Sequence, residues 1–367
     1  MKTIKVGSDF SGVGAFNQAL IRLGVNYEEV FACDMDKYAR QTFVHNYGEP
    51  KYYPTDVYER EIPKDSLDIY VSSPPCQSFS LAGKRKGKED LRGILFFNSL
   101  EFIEKNKPRF FIFENVKGLL SDDGGNTFQE WVNYLGGKSV NGVPVLFPYD
   151  GSVNYHLYWQ VLNAKKHGIP QNRERVFLVG IRDDVDNKFQ FPKEEHLSKR
   201  LKDLLEKNVD DKYFVTEEKI KYLLRTEGTT FDVNAKILEN DLPNESRTIQ
   251  SGYYKSGRDC QFVKVKSATQ KGYEEATLGD SINFSVLKSE TRRGRVGKGV
   301  AQTLDTYCNQ ATMQSKGIRR LTPRECFRLM DFPDSFTWPV SDSQAYKQAG
   351  NSIVVNVLYK ILKQLPL

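Results

Sequence analysis

The chain has 367 residues, 39% hydrophobic and 27% charged, enough to bury the core of one large domain or two of ordinary size. Five cysteines, at 33, 76, 260, 308 and 326, form an odd set without CxxC spacing; they argue against a disulfide framework or a zinc cluster and fit a reducing cytosol. No apolar run nears the roughly 18 residues of a membrane span, Met1–Val6 carries no secretion-signal stretch, and a formal charge of +6 is compatible with a polyanionic partner without requiring one.

Along the chain, Ile4–Val6 is a short β-branched run, followed by a turn over Ser8–Gly14 and a helical stretch over Ala15–Leu23. Glu29–Cys33 and Asp68–Ser72 read as further strands. Phe110–Phe113 is an unbroken apolar run, as expected of a strand buried on both faces, and Arg175–Ile181 is another strand. Strands alternating with helix-period segments predict a parallel, doubly wound α/β sheet. From about Asp183 to Gly317 the chain turns polar and loses its alternation, with short strand-like pieces such as Cys260–Val265. This predicts a smaller, irregular second domain. Helix periodicity resumes over Thr322–Met330, with Thr322 as cap and Pro323 at the start, and again over the tail Asn351–Leu362.

Five constellations carry candidate chemistry. In Phe10-Ser-Gly-Val-Gly14 the glycines allow a sharp turn and close approach of a ligand at a helix amino terminus, with Asp34 at the end of the second strand as a ribose acceptor. The spacing is not a full GxGxxG, which favours adenosine over a dinucleotide; the plainer reading is a tight βα turn. In Pro74-Pro-Cys-Gln-Ser-Phe-Ser80 two prolines stiffen the backbone before Cys76 at the carboxyl edge of the sheet, where a thiolate could act as nucleophile. Polar neighbours make burial of Cys76 as an inert core residue less suitable. The basic loop Gly83–Lys88, with Lys84 and Arg85, reads equally as a solvated loop or as a flap over phosphates. Glu114, directly after the buried strand, should have a raised pKa if shielded from water. Gln171-Asn-Arg-Glu-Arg175 places Arg173 and Arg175 on one side if the strand pattern has begun, as a clamp or as a surface salt-bridge ladder. The helix from Pro323 puts Arg324, Glu325 and Arg328 on one side and Cys326, Leu329 and Met330 on the other, and is expected to be structural.

Taken together and in this order, PPCQSFS, ENV, QNRER, RRLTPRECFRLMDFPDSF and QAYKQAGNSIVVNVL resemble the family of C5-cytosine DNA methyltransferases, bacterial or phage type. The resemblance covers about residues 4–135, 155–183 and 295–362. It implies the Rossmann-like, doubly wound fold of S-adenosylmethionine-dependent methyltransferases, with a catalytic domain over 1–183 plus 335–367 and a target-recognition domain over 184–334. It also implies roles by position. Cys76 would be the nucleophile, Glu114 the partner of cytosine N3 and its amino group, and Arg175 the donor to O2, with Arg173 nearby. Phe10, Gly12, Gly14 and Asp34 would hold S-adenosyl-L-methionine (product S-adenosyl-L-homocysteine), together with Met35, Asp56, Val57, Pro74, Leu95, Asn351 and Ile353. Ser80, Lys84, Arg85 and Thr303 would meet DNA near the flipped base, and Arg258, Arg292, Arg293 and Arg295 would face the major groove, where arginine commonly pairs with guanine. Ser8-Asp9-Phe10 departs from the family's Asp-Leu-Phe, Met35 replaces a common aromatic, and a segment near 138–154 is extra.

The implied activity is methyl transfer to carbon 5 of a flipped-out cytosine in duplex DNA through a covalent Cys76–C6 intermediate, with no metal. Expected besides double-stranded DNA are a cognate restriction endonuclease acting separately, a monomeric state, a cytoplasmic location and no membrane. The alternatives are a transfer-RNA C5-cytosine methyltransferase and a catalytically silent DNA-binding relative. Over a hundred residues between QNRER and the LTPRE helix favour DNA.

Overall fold

Successive side chains of a strand point to opposite faces, so an unbroken apolar run needs cover on both. In the computed structural model, which describes residues 3–74, 91–185, 188–216, 262–286, 288–314 and 317–367, that demand sets the architecture. Phe110 and Ile112 enter one apolar cluster, while Phe111 and Phe113 enter another on the opposite face. They lie in β4 (Phe110–Val116), central in an eight-stranded sheet with β1 (Ile4–Asp9), β2 (Tyr27–Cys33), β3 (Ile69–Ser72), β5 (Ser139–Val140), β6 (Val143–Pro144), β7 (Tyr155–Asn163) and β9 (Glu174–Arg182), in the order β2-β1-β3-β4-β9-β7-β5-β6. The first cluster is closed by α1 (Ala15–Leu23) and α7 (Val355–Leu362), the second by α3 (Leu91–Asn106) and α4 (Asn126–Leu135).

The expected parallel arrangement holds for β2, β1, β3 and β4. It needs correction beyond them: β9 runs antiparallel to both β4 and β7. A parallel return requires a long crossover, whereas β7 reaches β9 through only a short helical turn, Ala164–His167, and the two-residue β8 (Gln171–Asn172). The extra segment near 138–154 forms the β5–β6 hairpin at the sheet edge. The helix predicted over Asn351–Leu362 starts later, as α7 at Val355: Asn351 ends the preceding helix α6 (Asp342–Asn351), and the chain between them is extended at Ser352 and Val354. Among the described residues no helix is long and apolar enough to cross a membrane.

The polar middle of the chain carries its own small core of Val263, Val265, Ala276, Ile282, Ala311, Met313 and Ile318. These come from β10 (Phe262–Lys266), β11 (Tyr273–Thr277), β12 (Ser281–Asn283), β15 (Gln310–Gln314) and β16 (Gly317–Arg320). Two further strands are very short, β13 (Val296–Gly297) and β14 (Ala301–Gln302), and β14 pairs with β8. The helix α5 (Pro323–Leu329) packs in the first cluster of the large sheet, although the expected boundary at 335 put it with the smaller domain. Glu325 was expected on the polar side of α5; it is fully buried. Its carboxylate takes a two-pronged ion pair from Arg319, at 2.8 and 2.6 Å, and accepts the backbone N–H groups of Thr322 and Glu206. One side chain thus ties β16, the α5 cap and the distant backbone at Glu206.

Two expectations follow. Glu325→Ala strands the Arg319 charge in the core and opens the cap, so it should cost about 3–5 kcal/mol, read as a lower urea midpoint at unchanged slope. The second concerns Glu29 in β2, which accepts from Asn17 of α1 at 2.9 Å. Burial pushes its pKa up from 4.5 to about 7. Because the folded value lies above the ordinary one, its contribution is present below the ordinary value and is lost as pH rises through about 7. Glu29→Gln keeps an acceptor for Asn17 and never ionises. Its Tm should match the parent at about pH 4 and exceed it at about pH 8.5; a pH-independent difference would refute this reading.

Candidate active site

The turn after β1 bends through positive φ at Phe10 (57°), Gly12 (55°) and Gly14 (84°). At Gly14 an added Cβ would lie 2.2 Å from the Tyr47 ring, whereas at Gly12 it would meet nothing within 4 Å. Gly14 is therefore required by packing, and Gly12 leaves an open approach to the backbone. The Gly12 N–H donates to Asp34 Oδ2 at 2.7 Å and the Asp36 N–H to Asp34 Oδ1 at 2.8 Å. Burial pushes the Asp34 carboxyl pKa up, and these two backbone donors oppose the shift. Below the turn, buried Asp9 faces Arg60 Nε at 2.9 Å and accepts from Tyr70 at 2.5 Å. Burial raises its pKa against the pull of Arg60.

The other residues expected at this corner fall into two groups. Phe10, Val57 and Leu95 share the second apolar cluster, while half-buried Ile353 packs on the first. Met35 is 85% exposed, and Asp56 and Asn351 are exposed, with the Asp56 carboxylate accepting the Tyr58 N–H. The end of α6 reaches this corner because Lys347 pairs with Asp36 at 2.7 Å and Gln348 donates to the Tyr38 carbonyl at 2.9 Å. Asp36 and Tyr38 flank the start of α2 (Lys37–Tyr47).

At the far end of β4, Glu114 is 8% exposed and meets Arg175 Nε at 3.0 Å. Burial pushes its carboxyl pKa up, while Arg175 and then Arg173 pull it down. Its neighbour Asn115 donates to the Pro74 carbonyl at 3.1 Å and so fixes the chain two residues ahead of Cys76. In Glu-Asn-Val the acid alone announces a role by its chemistry; the signal for Asn115 is an amide ending a strand opposite a proline-rich loop. Cys76, Ser80, Lys84, Arg85 and Arg258 lie outside the described residues.

Two expectations change. Arg173 was placed beside Arg175 at the reacting base; it is 3% exposed and its guanidinium donates to the carbonyls of Leu304 (3.2 Å), Gly350 (2.9 Å) and Ser352 (2.9 Å). Its two Nη groups are engaged by backbone carbonyls and the side chain is buried behind Arg175 rather than exposed beside it. Arg295 was placed on the DNA face; it is 2% exposed and donates to the carbonyls of Asn283, Ser285 and Val286 at 2.8–3.0 Å. It fastens the loop after β12 and offers nothing to a groove.

Between the start of β9 and the segment around β13 and β14 lies an open cleft of about 630 Å³, bordered by Arg175, Lys117, Asn172, Arg292, Arg293 and Thr303. Thr303 is exposed, with its hydroxyl donating to the Asn172 carbonyl at 2.8 Å. Arg293 is exposed and donates through Nε to the Ala268 carbonyl at 2.9 Å. The cleft gathers four cations, of which Lys117 pairs with Glu174 at 3.0 Å. Lys117 was not foreseen, although it directly follows the Glu-Asn-Val strand.

The family model for C-5 cytosine-specific DNA methylase matches residues 4–366. The chain is 34% identical over 355 residues to the type II methyltransferase M.HhaI of Haemophilus parahaemolyticus, spanning 96% of this chain and 91% of that protein. It is 32% identical over 446 aligned positions to the orphan methyltransferase M.SPRI of Bacillus phage SPR, spanning 100% and 98%. Two solved structures share the fold. A putative DNA modification methyltransferase encoded within an E. coli prophage has a TM-score of 0.62 at 20% identity, covering 99% of this chain and 98% of that one. The S. pombe Dnmt2 methyltransferase has a TM-score of 0.60 at 19% identity, covering 98% and 97%.

Proposed function

The chain belongs to the C-5 cytosine-specific DNA methylase family, and on that premise we propose that it methylates carbon 5 of a cytosine flipped out of duplex DNA, through a covalent bond between Cys76 and carbon 6. The observation that carries this reading is the buried Glu114–Arg175 pair, with Arg175 opening onto a cleft lined by cations. A base inside a stacked duplex cannot reach such a corner, so flipping is required, at a cost of roughly a few kcal/mol.

The open backbone at Gly12 and the carboxylate of Asp34 fit an adenosine whose ribose hydroxyls share that carboxylate, with Phe10, Val57 and Leu95 as apolar walls. S-adenosyl-L-methionine, bound there, supplies the electrophilic methyl group and leaves as S-adenosyl-L-homocysteine. The chain's own residues make carbon 5 able to accept it. Addition of the Cys76 thiolate to carbon 6 breaks the ring's aromaticity and pushes charge onto N3 and O2. Glu114, whose burial favours the protonated form, donates to N3 as that charge builds, and Arg175 donates to O2. Carbon 5, made nucleophilic by that addition, takes the methyl group, and loss of its proton to solvent then lets the thiolate leave by elimination. Arg292, Arg293 and Thr303 face the nucleic acid from the other wall of the cleft.

The test is incubation with radiolabelled S-adenosyl-L-methionine and either mixed duplex DNA or transfer RNA. Label should enter DNA as 5-methylcytosine, vanish in Cys76→Ala, and enter roughly 10²–10³-fold more slowly in Glu114→Gln, which keeps shape but cannot pass a proton. Label in transfer RNA alone would move the substrate to RNA, and label in neither would end the proposal.

A further inference from the structure

A guanidinium buried without a carboxylate partner is expensive, and Arg173 is such a group. Among the described residues its side chain meets three backbone carbonyls and no carboxylate within hydrogen-bond distance, and its Nε has no hydrogen-bond partner. The carbonyls come from two places far apart in the chain. Those of Gly350 and Ser352 end α6, where the last turn of a helix leaves its carbonyls unpaired and carries negative dipole. That of Leu304 belongs to the loop after β14, which carries Thr303 into the cleft. The same seam is tight from other sides. An added Cβ at Gly350 would lie 2.5 Å from the Asp305 carbonyl oxygen, and the Leu304 N–H donates to Gln171 at 3.2 Å.

We propose that Arg173 is a positioning residue that couples the methyl-donor pocket to the nucleic-acid cleft, by fixing the end of α6 and the Thr303 loop to one guanidinium. This rests on the reaction assigned above. On the donor side the linkage runs from Asp34 through Asp36 to Lys347 of α6 and on to Gly350 and Ser352. On the nucleic-acid side it runs from Leu304 to Thr303 and the cleft, whose edge Arg175 shares. Occupying one pocket therefore stiffens the wall of the other, and each ligand binds more tightly in the presence of its partner. The planar fork is what makes this possible: a lysine ammonium at the same place keeps the charge but cannot span three carbonyls. Arg173 has a second, separable effect, because its charge helps Arg175 hold down the Glu114 carboxyl.

The experiment is calorimetric titration of S-adenosyl-L-homocysteine into the parent, Arg173→Lys and Arg173→Met, with and without a duplex that the parent methylates. The parent should bind at least about fivefold more tightly with DNA present, and in both variants that ratio should fall toward one. KM for donor and for DNA should rise together, by roughly tenfold, with a smaller fall in kcat. Arg173→Met should also move the Glu114 limb of the pH–rate profile upward, while Arg173→Lys leaves it in place. An unchanged ratio in folded Arg173→Lys, or a parent that methylates DNA yet shows no coupling, overturns the inference; should Arg173→Met not fold, Arg173→Lys decides alone. A parent that transfers no methyl group to any nucleic acid fails on the reaction itself and not on Arg173.

Discussion

Arg175 reaches Glu114 because β9 runs against β4. In the antiparallel register Val116 lies opposite Arg175 and Glu114 opposite Phe177, so the acid and the arginine are diagonal neighbours on one face. Had β9 returned in parallel, its first residues would lie beside the start of β4. For a seven-residue strand that is a displacement of roughly 20 Å. The reversal brings the end of one buried strand and the beginning of the next to the same edge, where the turn after β1 and the carbonyl of Pro74 also sit. Every other feature of the candidate site is arranged around that edge.

What enforces the reversal is the segment between β7 and β9. It is too short for a helical crossover, and it is pinned by groups with nowhere else to go. Gln171, fully buried, donates to the Leu329 carbonyl and accepts the Leu304 N–H. Asn163 caps the short helical turn that follows β7 and donates to Asn172 at 2.8 Å. The pairing of β8 with β14 then carries the strands of the small apolar core onto the edge of the large sheet. The same few residues fix strand direction and the position of the cleft wall, which is how the cleft comes to open directly onto Arg175.

Sequence periodicity located the strands, because their signal is local. The apolar run at Phe110–Phe113 needs only its own side chains to announce burial on both faces, and Ala15–Leu23 was read with the bounds the structure has. Strand direction is not local: it depends on the length of a connection, and QNRER reads the same whichever way the following strand runs. The later start of α7, at Val355 rather than Asn351, was hidden for a related reason, since the residues before it keep helical spacing of apolar groups while the backbone is extended at Ser352 and Val354. Asn115 was visible as a letter but not as a contact, because its partner Pro74 lies 41 residues away. Resemblance to a family named Arg173, yet only the packing of Leu304, Gly350 and Ser352 around it shows where its donors go.

The same limit governs how charge was read. A net charge of +6 and the run Arg292-Arg-Gly-Arg295 suggested a face of free cations. Arg173, Arg295 and Arg319 are instead each 3% exposed or less. Arg319 is neutralised by Glu325, whereas the other two each donate to three backbone carbonyls. Arg295 holds the Val286 carbonyl, and Val286 is a β-branched residue at a φ of 48°, a conformation that persists only when its surroundings fix it. A domain with a small apolar core and irregular backbone must pair its buried carbonyls somehow, and a guanidinium with five donors in one plane does so across gaps too irregular for a sheet. Part of the basic excess of this chain is therefore structural. The cations left to meet a polyanion are fewer than composition suggests, and Arg292 and Arg293 stand among them at the cleft beside Arg175.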